Sequence, residues 1–229
     1  WYGAHLNERS VEEEWQAMQN QIELYKLINS SVFIFADVSG SIQREPKIPL
    51  SKRPRLKDNN WSNYCNKISE IAKRLSDIGL PMSYHEHMGT IIQSEQDIYR
   101  LLDNTDDKTS LLFDTGHIFF AEGDYESILK KYVSRVNHVH CKDIRKEILN
   151  KSLSNDLSFR DSFLEGVFTV PGDGYINYKP LFETLYDNKY SKWLIVEAEQ
   201  DPKKANPLKY AKIGYKYLNK ILTEVGYKI

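Results

Sequence analysis

Five short runs of aliphatic, aromatic and β-branched residues recur along the chain, at 32–38, 80–88, 110–115, 135–142 and 192–199. Between them apolar residues return every third or fourth position. Strand-like runs therefore alternate with amphipathic helices. Ser10 followed by Glu13 forms a capping-box signature, and Trp15, Met18, Ile22, Tyr25 and Ile28 follow at helical spacing. Trp61, Tyr64, Ile68, Ile71, Leu75 and Ile78 share one face of a second helix, which Gly79 is placed to end. Further helices are predicted over 95–102, over 125–133 behind Asp124, over 178–187 and beyond Pro207. No tight hairpin signal joins the strands, so they are predicted to run parallel in an α/β fold. Five strands suit an open doubly wound sheet, whereas a closed barrel of this kind needs eight.

The 143–176 stretch breaks the rhythm. It reads as a long mixed segment with Pro171-Gly172-Asp173-Gly174 near its end, and segments of that length usually serve function. It is expected to cover a site or meet a neighbouring subunit in a homo-oligomer.

With 229 residues, 41% hydrophobic and 28% charged, the chain has the apolar material for one globular domain. A net charge of -1, with basic clusters no longer than Lys52-Arg53-Pro54-Arg55, speaks against a nucleic-acid partner. Cys65 and Cys141 are far apart and lie outside any CxxC, which suits free thiols in a reducing cytoplasm. No apolar run approaches the roughly 18 residues of a membrane span, and the N-terminus carries no signal-peptide pattern.

The later strands turn polar at their C-terminal ends, which in a parallel α/β fold share one face. Side chains two apart on a strand point the same way. His138, His140 and Lys142 therefore share a face; so do His85 and His87, opposite Tyr84 and Glu86, and so do Glu197 and Glu199. In "LLFDTGH", Asp114 ends its strand and Gly116 lets the chain turn to bring His117 into the same region. Imidazoles and carboxylates gathered on adjoining strand ends form a ligand set for a divalent metal of intermediate hardness. A lone strand histidine is more often a hydrogen-bonded structural residue, and Lys142 alone reads as an ion-pair lysine for Glu199 or Asp143. The convergence of five histidines within 85–140 favours a site over those separate readings. Tyr25, Trp61 and Tyr64 read as core or interface packing.

"YHEHMGT", "LLFDTGH", "HVHCKD", "EGVFTVPGDG" and "WLIVEAEQDP", in this order, resemble the inosose (2-keto-myo-inositol) dehydratases of inositol catabolism, within the xylose isomerase-like (β/α)₈ barrels. "SGSIQ" and "KRP" agree, and the likeness runs over about 30–207. "DTGH" and "HVHxKD" recur through the superfamily; the histidine-rich first motif and "VEAEQDP" narrow it. The resemblance implies one metal held by Asp114, His140, Glu197 and a fourth group. The fourth is His85, standing where relatives usually carry glutamate, with Glu86 facing the other way. Asp37 also stands where relatives more often have glutamate. Manganese or cobalt is the expected ion, with iron and zinc as alternatives.

Eight strands are implied and five are read, with Trp1-Tyr2-Gly3 resembling the tail of a third strand. Two strand–helix units and most of another strand, on the order of 60 to 80 residues, are expected to precede Trp1 in a (β/α)₈ TIM barrel. The implied reaction removes water from 2-keto-myo-inositol. Lys142 and Glu199 are the expected base or acid, the lysine with a pKa lowered by a nearby cation, and His117 protonates the leaving hydroxyl. His87, Asp37 and Arg145 are expected at the polyol substrate. A ketose isomerase or epimerase is the alternative, since it passes through the same enediolate; a non-catalytic sugar-binding protein is the reading from another class.

Overall fold

The computed structural model describes residues 1–228. Six strands form one sheet: β1 (Tyr2–Ala4), β2 (Phe33–Asp37), β3 (Met82–His85), β4 (Ser110–Asp114), β5 (Val136–Cys141) and, after a two-stranded excursion described below, β8 (Leu194–Val196). Every pairing in it is parallel, and neighbours in space follow chain order. Such an order, with a helical crossover between strands, is the wall of a barrel rather than a doubly wound sheet, which reverses direction. Among the described residues β1 and β8 are open edges.

The helices form for local reasons. In α1 (Val11–Leu27) Ser10 Oγ accepts from Glu13 N at 3.2 Å and Glu13 returns the bond to Ser10 N at 2.8 Å. α2 (Trp61–Asp77) buries Trp61, Tyr64, Cys65, Ile68, Ile71, Ala72 and Leu75 on one face. Gly79 follows it at φ +77, where a side chain is strained. α3 (Glu95–Asp103) repeats the capping box with Ser94 and Asp97. After β4 come α4 (Thr115–Phe120) and α5 (Tyr125–Tyr132), and near the C-terminus α8 (Tyr178–Asp187) and α9 (Pro207–Val225).

Strand alternation sorts the two faces of the sheet. Phe33, Phe35, Met82, Tyr84, Leu111, Phe113, Val139 and Cys141 pack into the apolar core with the helices, and both cysteines are free thiols. The opposite parity carries Ser83, His85, Leu112, Asp114, His138, His140 and Lys142. Tyr25, Trp61 and Tyr64 lie in the core.

Beyond the five strands read from periodicity, Tyr2–Ala4 pairs with Phe35–Asp37 as a sixth, in keeping with the strand tail expected at Trp1-Tyr2-Gly3. Two expectations change. The strand read over 80–88 stops at His85, since His87 N donates to Ile92 O in a tight turn. The 143–176 segment is ordered: β6 (Asp143–Ile144) pairs antiparallel with β7 (Phe168–Thr169), and between them lie α6 (Lys146–Ser154) and α7 (Phe159–Glu165). α7 ends at Gly166 with φ +96. Both helices are short, so their apolar periodicity spans too few turns to stand out.

Candidate metal centre and substrate cavity

Asp114 is the hinge of the site. Its backbone closes β4 and its side chain caps α4, with Oδ1 accepting from Gly116 N at 2.9 Å and His117 N at 3.0 Å. Oδ2 is left for the cavity side, 3.3 Å from His140 Nδ1, 3.3 Å from Lys142 Nζ and 3.9 Å from His85 Nε2. The register that sets Asp114 beside His140 makes this possible, and His140 in turn pairs with Ile195, two residues before Glu197.

Glu197 Oε2 lies 2.6 Å from His140 Nδ1 and 3.2 Å from Lys142 Nζ, yet neither contact has hydrogen-bond alignment. His85 Nδ1 is also buried without a partner. Ligand atoms of His85, Asp114 and His140 all lie within 4.8 Å of one another, and so do those of His85, His87 and His117. Converging, poorly satisfied donors are what a cation would complete, so the residues fit a metal.

Lys142 is fully buried, and Gly116 makes room for it: a Cβ there would sit 2.6 Å from Lys142 Cγ. Its Nζ lies 2.9 Å from His117 Nε2, 3.1 Å from Glu199 Oε2 and 4.9 Å from the centre of the Phe168 ring. Glu199 Oε2 is 3.4 Å from His117 Nε2, and its Oε1 is 3.8 Å from His87 Nε2.

Burial and charge act against each other here. Burial disfavours the Lys142 ammonium, but Asp114, Glu197 and Glu199 outweigh it and raise its pKa. Without an ion between them, the carboxylates that surround the amine set this direction. Burial also opposes the Glu199 carboxylate, but Lys142, His117 and His87 hold it well below the usual range. His117 is lowered to about 4 by burial and by His87 and Lys142, and His85 falls well below its ordinary value for like reasons. Both rings are thereby neutral, the form that ligates metals. His140 goes the other way, up to about 9, since Asp114 and Glu197 overcome its burial. Glu86, fully buried with neither oxygen partnered, is pushed well up by burial and by Asp114.

A cavity of about 610 Å³ opens over this floor, lined by His85, His87, His140, Glu197 and Glu199 below and by Trp1, Phe159 and Phe163 at the side. Trp1 stacks on His87 at 5.5 Å and 25°, and Phe159 meets His87 and His117 at 5.2 and 5.7 Å. Gln43, Arg44 and Arg160 reach its rim. The 143–176 segment thus walls the cavity through α7. Phe159 and Phe163 gave no signal in the sequence, because an apolar helix face reads as core.

Asp37 and Arg145, expected at the substrate, are not among the residues that line this cavity. Asp37 is buried and accepts from Asn7 N and Ser39 N at 2.9 Å each, which ties two loops together. Arg145 donates to the carbonyls of Gly166 and Phe168 and to Asp173, which ties β6 to the turn after β7. Their polarity is spent on backbone groups that the loops leave unpaired.

Polar groups gathered at the C-terminal ends of parallel barrel strands define the class, a TIM-barrel enzyme working on a small polar molecule. The profile of the xylose isomerase-like TIM barrel family matches residues 1–221. The rhizopine catabolism protein MocC of Rhizobium meliloti is 38% identical over 229 residues, all of this chain and 70% of that protein. The inosose dehydratase of Lactiplantibacillus plantarum is 38% identical over 226 residues, 98% of this chain and 75% of that one. A crystal structure of the IOLI protein, described as binding a zinc atom, superposes with a TM-score of 0.67 at 14% identity, covering 97% of this chain and 75% of its own. The chain belongs to the inosose dehydratase family of the xylose isomerase-like TIM barrels.

Proposed function

We propose that the protein is a metal-dependent inosose dehydratase, removing water from 2-keto-myo-inositol to leave a cyclohexanedione. The observation that carries the reading is the convergence of His85, Asp114, His140 and Glu197 from four adjacent strands beside the buried Lys142. The first four would hold a divalent ion, manganese or cobalt before iron or zinc, which would supply Lewis-acid stabilisation of the negative charge that develops on the ketone oxygen.

The chain's own groups move the protons. The Lys142–Glu199 pair, at 3.1 Å, takes the proton α to the ketone. The carbon–hydrogen bond breaks toward an enediolate, which then expels the β-hydroxyl. The proton that Glu199 takes up passes to the neutral His117 beside it and from that ring to the hydroxyl, which leaves as water. The resulting enol tautomerises to the dione, so the net loss is one water. His87 hydrogen-bonds ring hydroxyls above the floor, and Trp1, Phe159 and Phe163 provide the apolar wall against which a polyol ring lies. Two further parallel strands between the open edges β1 and β8 would complete an eight-stranded barrel. The free thiols suit a cytoplasmic setting.

The first test is elemental analysis of the protein beside Asp114→Ala, followed by the dione's ultraviolet absorbance on adding keto-inositol. About one equivalent of metal in the parent, little in the variant, and absorbance in the parent alone are expected. Metal-free protein after reconstitution, or turnover of ketoses without dione, would sink the reading.

A further inference from the structure

The run Ser39-Gly40-Ser41-Ile42-Gln43 supplies nothing to the metal centre, yet the fold seats it against the turn that follows β3. Gly89 O accepts from Ser41 Oγ at 3.1 Å and from Ile42 N at 3.0 Å, and Ser41 Oγ accepts in turn from Gln43 N at 3.2 Å. Gly89 has φ +80, and a Cβ there would lie 2.9 Å from Gln43 N. Glycine alone lets the two backbones approach so closely. Farther along the same loop, Lys47 N donates to Asp161 Oδ2 at 3.2 Å and Leu50 N to Leu157 O at 3.2 Å. One end of the loop is thus fixed to the turn that follows His87, and the other to α7 and the residue pair before it.

Gln43 is the residue that this arrangement brings to the cavity. It is half-buried, lines the space above the metal ligands, and with Trp1 separates that space from a hollow of about 470 Å³ alongside. Its backbone N–H is bonded, but among the described residues no protein group hydrogen-bonds its side-chain amide. A carboxamide carries an acceptor and two donor hydrogens on one planar group. Two neighbouring hydroxyls of a polyol offer the complement, one donating to the amide oxygen and the other accepting from the nitrogen. The ketone end of such a ring lies at the metal ligands on the floor, so the hydroxyls that reach Gln43 at the rim are those across the ring from the ketone.

We propose that Gln43 is a specificity-determining residue: its amide hydrogen-bonds the hydroxyls across the ring from the ketone, so that the site selects a fully hydroxylated ring over one that lacks a hydroxyl there. The orientation of the ring rests on the dehydratase reading, whereas the recognition of a polyol by Gln43 can be measured without turnover.

The experiment compares the manganese-loaded parent with Gln43→Met, which keeps the length of the side chain and removes the amide. Steady-state kinetics are run with keto-inositol and with its analogue lacking the hydroxyl opposite the ketone. Calorimetry follows the binding of myo-inositol to the same samples. In the parent, loss of that hydroxyl should raise KM about tenfold, the size of effect that one or two neutral hydrogen bonds produce. In Gln43→Met, KM for keto-inositol should rise about tenfold with little change in kcat, and the two substrates should become equivalent. A packing role would weaken both substrates alike and preserve the discrimination. Should Gln43→Met fail to fold, Gln43→Leu is read in the same way. A parent that does not distinguish the two substrates, or a variant that distinguishes them as the parent does, would overturn the proposal. So would a rise in KM that follows loss of manganese. Binding of myo-inositol that weakens in Gln43→Met, in a protein that forms no dione, would remove the dehydratase reading and leave the Gln43 contact standing. A parent that neither forms dione nor binds myo-inositol would remove both.

Discussion

Asp114 does two jobs with two oxygens, and substitution can separate them. Oδ1 caps α4 through Gly116 N and His117 N; Oδ2 faces His85, His140 and Lys142. Asparagine caps about as well as aspartate, whereas alanine costs about 1 kcal/mol at such positions. Asp114→Asn is therefore expected to keep the melting temperature near the parent's yet lose most metal and activity, and Asp114→Ala to lose stability as well. Calorimetry and metal analysis on both variants check this; an active Asp114→Asn would remove the ligand role. Gly116 gives a second residue-level prediction. A methyl there meets the Lys142 stem, and overpacking a filled site costs about 1–3 kcal/mol. Gly116→Ala should melt lower and lose kcat as the amine is displaced, with tight metal binding kept. These residue types could be read from the sequence, since strand parity already put His138, His140 and Lys142 together. The surroundings of the Lys142 amine could not be read, because its three carboxylate neighbours come from two other strands.

The element whose role was least visible is α7. It begins at Ser158, whose Oγ accepts from Asp161 N at 3.0 Å, and it carries Phe159 and Phe163 to the cavity wall. Removing that cap costs about 1 kcal/mol. Ser158→Ala should therefore raise KM for the polyol more than it lowers kcat, since the wall loosens while the floor residues stay in place. Equal losses in kcat and kcat/KM would mean that α7 acts on the transition state instead. Ser10 is the control, because its cap on α1 lies outside the cavity lining. Ser10→Ala should cost similar stability and leave both constants alone. The long helices α1 and α2 were legible because their apolar faces run for four turns or more. The short ones between β6 and β7 were not, and neither was the pairing of those two strands, which joins residues more than twenty apart.

For the molecule as a whole, the cluster gathers buried carboxylates and imidazoles whose satisfaction depends on what sits between them. A bound ion at about 100 times its Kd adds about 2.7 kcal/mol. For a chain of this size that raises Tm by about 5–10 °C, so chelation should lower the melting temperature by that amount and manganese or cobalt should restore it. A melt indifferent to chelator would count against a metal centre at the strand ends. The sequence by itself determined the alternation of strand and helix, the parallel sheet, and which side chains of each strand share a face, because these follow from periods of two and 3.6 within a few residues. Only the tertiary structure decided which strand ends meet, and that Asp37 and Arg145 hydrogen-bond to backbone groups of the loops outside the lining of the cavity. Those outcomes depend on register and on contacts between segments tens of residues apart, which no local pattern encodes.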